Sequence, residues 1–208
     1  MERSTWMASG AVAVAALAVA GGISIVGIAG ASGNDVTAVL RDAGGAKKGT
    51  VRFANRDGLT EVRVVIDSLP DAIARNAFHG FHIHANADAA NGEGCSADAN
   101  AASNTWFVSA DGHWKDTGQN HGAHNGDLPS VFVNTDGSAE ARFTISRVTI
   151  AQLKGKAVIV HAGADNFGNV PTGAAANQYT ANSADATTAT QNTGNAGDRV
   201  LCGIVGTR

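Results

Sequence analysis

The sequence predicts an all-β fold: eight short antiparallel strands closed into a sandwich or flattened barrel and interrupted by two long loops. Three observations predict it. After Asn34 the chain alternates short β-type runs with Gly, Asn and Asp punctuation. No longer amphipathic helical period is visible beyond residue 31. Two segments, and only two, are too long to be simple connections.

The expected strands cover residues 36–40, 49–54, 61–66, 79–84, 130–133, 139–145, 157–160 and 200–205. Between them, Asn55-Arg56-Asp57-Gly58 is a polar turn cluster and Asp136-Gly137 a hairpin signal, so the strands they join are expected to be antiparallel. Residues 150–153 have room for one helical turn. The long segments, 85–128 and 162–198, are rich in Gly, Asn, Asp and Thr. Loops of that length in a domain of this size are usually functional or disordered. The first holds three of the seven histidines, and the second begins just after another.

Residues 1–31 read separately from the rest. A short polar start with Glu2 and Arg3 precedes an apolar, uncharged run over 6–28, and Ala29-Gly30-Ala31 forms a small-x-small cleavage signature before Ser32. The expectation is a secretory signal peptide followed by one domain over 32–208. An uncleaved membrane anchor is the alternative, since about 20 apolar residues span a bilayer. No cysteine lies near Ala31 to carry a lipid. Either reading places the domain outside the cytoplasm, as a secreted, periplasmic or envelope-associated protein.

Charge names no partner. The formal net charge is −3 from 15 basic and 18 acidic residues, and no cluster of Lys and Arg offers the footprint that nucleic acid requires. The two cysteines, Cys95 and Cys202, both lie in the exported part, where an even pair favours one disulfide.

His82 and His84 form an H-x-H pair within an expected strand, so both imidazoles project from one face. His113, His121, His124 and Asp127 follow in one loop with the spacing H-x7-H-x2-H-x2-D, and His161 ends a β run. Six histidines and one carboxylate from strands and a loop are hard to explain as core packing. Three imidazoles and a carboxylate suit tetrahedral zinc, while an imidazole-only set suits copper. Four ligands per metal require eight from seven residues, so one imidazole must serve both.

His79-Gly80-Phe81-His82-Ile83-His84 and Gly194-Asn195-Ala196-Gly197-Asp198-Arg199-Val200-Leu201-Cys202-Gly203 resemble the two signature regions of copper/zinc superoxide dismutases, over nearly all of residues 36–206. The resemblance implies an antiparallel Greek-key sandwich that binds copper and zinc and dismutes superoxide to oxygen and hydrogen peroxide. Carried across by position, His82, His84 and His161 are expected to bind copper. His113 is expected to bridge both metals, and His121, His124 and Asp127 to complete the zinc site. His79 matches a hydrogen-bonding histidine rather than a ligand. Asp165 matches the carboxylate that orients one copper-ligand and one zinc-ligand histidine. Cys95 and Cys202 match an intrasubunit disulfide, and Arg199 the arginine that docks the superoxide anion beside copper. Bacterial and eukaryotic members pair through different surfaces, so a homodimer is left open. Two rival readings are a copper-buffering protein without turnover, which retention of Arg199 and the bridge disfavours, and a copper chaperone, which more cysteines would favour.

The chain departs from many eukaryotic members in carrying no Lys or Arg over residues 162–198. Lys115, between two of the expected ligands, is the candidate substitute for steering the anion. A long interval from Cys95 to His113 and a short one from His121 to His124 look more like exported bacterial members.

Overall fold

The computed structural model describes residues 35–166 and 184–207, so the leader expected over residues 1–31 lies outside the described residues. Among the described residues nine strands form: β1 (Val36–Arg41), β2 (Lys47–Arg56), β3 (Leu59–Ile66), β4 (Ala77–His79), β5 (Phe81–His84), β6 (Val131–Val133), β7 (Ala139–Ile145), β8 (Ala157–His161) and β9 (Arg199–Thr207). Seven make one antiparallel sheet in the order β5-β8-β9-β1-β2-β3-β7, and β4 pairs with β6 in a second. Alternate side chains from both ends of the large sheet, among them Val51, Val62, Phe81 and Val158, meet Val131 and Val133 of the small one in a single buried cluster. That shared core requires the large sheet to curl over on itself, as the all-β expectation demanded.

The β2–β3 turn forms where the sequence placed it. Arg56 pairs with Leu59, leaving a two-residue loop in which Asp57 and Gly58 both take positive φ, the backbone that matches strand twist in a tight hairpin. The Asp136-Gly137 signal also makes a turn, closed by Asn134 and Ser138 at 2.8 Å. Its strands do not pair with each other, however: β6 joins β4, and β7 joins β3.

Two further expectations are corrected. The strand expected over 79–84 is two strands in different sheets, broken at Gly80. A Cβ there would sit 2.7 Å from the Ala196 side chain and 3.1 Å from Asp165 Oδ1. Such contact excludes any side chain and lets the chain cross from one sheet to the other. The second correction is a helix. Beyond α1 (Ile150–Leu153), the second long loop contains α2 (Ala184–Thr193), built from Ala, Asp, Thr, Gln and Asn with no apolar stripe to announce it. Among the described residues no helix is long and apolar enough to cross a membrane.

β8 is buried on both faces. Val158 and Val160 face the main core, while Ala157 and Ile159 pack with Phe107, Ala110 and Cys202 in a smaller one. Cys202 bonds to Cys95 with Cα atoms 5.6 Å apart and a sequence separation of 107 residues. Closing a loop of that size restricts the unfolded chain by about 4.7 kcal/mol in the chain-entropy view. The bridge ties the first long loop to β9, and both border the site.

Candidate metal centre

β5 is buried along its whole length. Its period of two sends Phe81 and Ile83 into the core and leaves His82 and His84 on the other face. A register shift between Val160 and His161 ends the β8–β9 ladder, so that His161 pairs across from Arg199. Irregularities of this kind re-aim a side chain at a strand end. The loop after β5 returns alongside it, with His113 bridged to His84 and Asp127 to His82. Thus the seven expected ligands converge, and all seven are buried.

They form two overlapping groups, and His113 belongs to both. In the first, ligand atoms of His82, His84, His113 and His161 lie within 4.8 Å of one another. Each strand histidine commits one nitrogen outward: His82 Nε2 to Asp165 Oδ2 at 3.0 Å, His84 Nδ1 to the Asp111 carbonyl at 2.7 Å, and His161 Nδ1 to the Gly197 carbonyl at 2.9 Å. The inner nitrogens are left as acceptors. His84 Nε2 and His161 Nε2 face each other at 3.4 Å, and buried His82 Nδ1 and His113 Nε2 have no hydrogen-bond partner. Four inward acceptors with no donor suit a cation that favours nitrogen, as copper does.

The second group is organised by Asp127. Its Oδ2 accepts the backbone N–H of Gly122 at 2.6 Å and of His124 at 3.0 Å, which aims Oδ1 at three imidazoles. Oδ1 lies 3.1 Å from His113 Nδ1 and 3.2 Å from both His121 Nδ1 and His124 Nδ1, and the His113 and His124 Nδ1 atoms are 3.4 Å apart. Tetrahedral zinc with bonds of 2.0–2.1 Å has ligand–ligand edges of about 3.3–3.4 Å, so the donor set fits. Proximity alone also brings His82 within 4.8 Å of His113, His121 and Asp127. His124 borders the same carboxylate, 3.2 Å from Asp127 Oδ1.

Charge is distributed unevenly between the groups. Burial pushes His82 and His161 down to about 4 and His113 to about 3, and holds His84 well below its ordinary value. Burial also works against protonated His121, but Asp127 and Asp165 outweigh it and raise this histidine to about 9. Burial would raise both carboxyls, yet their histidine hydrogen bonds hold them below the usual carboxylate range.

Asp165 reaches both groups, touching His82 and, at 3.3 Å, His121 Nε2, with Ser130 Oγ donating to it at 3.0 Å. His79 stands outside both: its ring nitrogens lie 2.8 and 2.9 Å from the carbonyls of His161 and Ala74. Arg199 donates to the Phe107 and Asp111 carbonyls at 2.5 and 2.6 Å, two of the five N–H groups a guanidinium carries. Lys115 is held by Asn192 of α2 at 2.9 Å.

Sequence reasoning missed two residues. Arg147 donates to the His124 carbonyl at 2.6 Å, and Asp111 supplies a carbonyl to both His84 and Arg199. Neither contact is encoded in ligand spacing. The only signal is the position of Asp111 two residues before His113.

Comparison with known proteins agrees with the geometry. Residues 47–205 match the family model described as copper/zinc superoxide dismutase. A copper/zinc superoxide dismutase of Mycolicibacterium paratuberculosis is 33% identical over 183 residues, covering 85% of this chain and 76% of the relative. That of Mycobacterium tuberculosis is 33% identical over 174 residues, covering 82% and 70%. Among solved structures, a double mutant of a superoxide-dismutase-like protein from Bacillus subtilis superposes with a TM-score of 0.57 at 22% identity, covering 84% of this chain and 98% of that one; at that identity it shows the fold alone.

Proposed function

The chain belongs to the copper/zinc superoxide dismutase family, oxidoreductases whose cofactors are copper and zinc, and from that premise we propose how its own residues divide the work. His82, His84 and His161 would hold copper, His121, His124 and Asp127 would hold zinc, and His113 would be shared between them. When bound, copper supplies the one-electron couple that accepts an electron from one superoxide and returns it to a second, while zinc is not redox active. The single observation that carries the assignment is His113. Its Nδ1 completes the tetrahedral edges around Asp127 at 3.1 and 3.4 Å, and its Nε2 is buried without a partner on the other side.

Arg199 docks the anion. Its cross-strand partner is His161, so the guanidinium stands at the border of the first group, anchored by two carbonyls. In the first half-reaction superoxide would lose an electron and leave as oxygen, and His113 Nε2 would take up a proton from water. In the second, superoxide would gain an electron, the proton from His113 Nε2 and one from water, and would leave as hydrogen peroxide. Asp165 and the Asp111 and Gly197 carbonyls fix the tautomers of His82, His84 and His161, leaving each inner nitrogen free of a proton.

We further propose that residues 1–31 direct export, supported by the disulfide and by the bacterial relatives. Metal analysis of the purified mature chain, run beside a superoxide-consumption assay, tests the assignment. One copper and one zinc per chain with rapid consumption are expected. Two zincs from copper-replete medium, with no spectrum of a bridged copper, would overturn it.

A further inference from the structure

We infer that Asp111 is a positioning residue for anion capture: its carboxylate latches the loop after β5 so that its own carbonyl oxygen meets both Arg199 and His84. The backbone carries this inference. Asp111 takes φ 65° and ψ −165°, a region occupied essentially by glycine and sustained elsewhere only when the surroundings over-determine it. That conformation directs one carbonyl oxygen to Arg199 Nη2 at 2.6 Å and to His84 Nδ1 at 2.7 Å. A single atom thereby sets the guanidinium and one imidazole of the first group.

The side chain accounts for a Cβ in such a place. Asp111 Oδ2 accepts the amides of Ala87 at 2.6 Å and Asp88 at 3.0 Å, and Oδ1 accepts the Asn91 side-chain amide. On either side the backbone is paired, Asn86 N–H to the Ala110 carbonyl at 3.1 Å and Ala85 N–H to the Gly112 carbonyl at 3.0 Å. Glycine would relieve the backbone but leave the 87–91 turn untied from it. Aspartate accepts the strain and supplies three hydrogen bonds that hold the carbonyl on target.

The inference rests on the proposed docking role of Arg199, and the experiment separates the two. Inorganic azide, a small anion that ligates copper(II), is titrated against the visible spectrum of the copper- and zinc-loaded protein, and the copper EPR spectrum is recorded without azide. Arg199→Ala should weaken azide binding by about tenfold or more, since charge-assisted hydrogen bonds are the strong ones. Asp111→Ala should weaken it by roughly tenfold, and should also shift the EPR parameters because His84 loses its fixed acceptor, with metal content unchanged. Asp111→Asn, which keeps an acceptor oxygen, should bind azide within about threefold of wild type. Asp111→Gly should unfold at higher temperature than Asp111→Ala yet bind azide as weakly. Azide affinity and EPR parameters unchanged in Asp111→Ala, or wild-type affinity in Asp111→Gly, would overturn the inference. Should Asp111→Ala not fold, the contrast between the Asn and Gly variants decides it. If Arg199→Ala binds azide normally, the docking reading fails. If only the Asp111 variants bind normally, the docking reading stands without the latch.

Discussion

The strand-borne histidines and the loop-borne ligands are held in place by opposite means. His82, His84 and His161 take their positions from the antiparallel register of β5 and β8, and each spends its outer nitrogen on an acceptor beyond the group. Burial then keeps them neutral. His121 and His124 have no ladder to place them. They gather around Asp127 Oδ1, whose partner oxygen is fixed by two backbone amides. The sheet places its histidines by register, whereas the loop gathers its own around a carboxylate at its centre. The loop half therefore carries the raised histidine, His121.

The largest test breaks the joint between the halves. His113→Ala should lose zinc and the native copper spectrum together, with superoxide consumption falling by more than about a hundredfold, since even residues that only orient a ligand are worth 10–100-fold. His121→Ala should spare copper and lower zinc affinity alone. Wild-type zinc affinity in His113→Ala, measured by chelator competition, would show that the two groups are not joined there.

A smaller effect should separate the halves in the metal-free protein. His121 is raised from 6.5 to about 9, so the stability it contributes is complete below about pH 6.5 and is lost as pH climbs through about 9. His82, His113 and His161 are lowered from 6.5 to about 4, 3 and 4. Below about pH 6.5 the unfolded chain takes protons that the folded one refuses, and stability falls toward pH 3–4. Asp127 and Asp165, also lowered, add to the acid limb. Urea midpoints against pH should peak near 6.5, with an acid limb steeper than the alkaline one because more groups titrate there. Bound zinc requires deprotonated His121 and should flatten the alkaline limb. Metal-free stability that keeps rising from pH 6.5 to 9 would count against the charge assigned to His121.

Legibility in the sequence followed the same division. Side-chain identity and spacing brought out the seven converging residues, because metal chemistry demands such atoms, and an even cysteine pair in an exported domain favoured the Cys95–Cys202 bond; Asp165 came only from the family resemblance. Period-two alternation located the strands, but not the sheet each would join. The break at Gly80 comes from the approach of Ala196 and Asp165, residues more than eighty positions away. α2 was invisible because Ala and Thr in a polar run have no amphipathic period. What it rests on is tertiary: the Gln191 carbonyl accepts the His121 amide at 2.8 Å, and Asn192 accepts Lys115. The carbonyl of Asp111 and the guanidinium of Arg147 were missed for a related reason, since contacts made to or by backbone leave no motif.

Arg147 provides the finest test of how the loop half is supported. It stands just beyond β7, where the chain is still tied to the sheet by Thr60 Oγ1 donating to the Val148 carbonyl at 2.7 Å. From that footing it reaches the His124 carbonyl at 2.6 Å, lending the loop a little of the rigidity that β5 gives His82 and His84. Arg147 is exposed, so water competes for its N–H groups and the bond is worth no more than an ordinary one, about 1 kcal/mol. Removing it should let the His124 turn sample more conformations before zinc binds. Arg147→Ala should accordingly weaken zinc by roughly fivefold, leave copper affinity unchanged, and quicken zinc release to a chelator. Arg147→Lys, which keeps a donor but not the planar fork, should fall between. Equal zinc affinity and release in wild type and Arg147→Ala would mean that the amide contacts of Asp127 support the loop without help from the sheet.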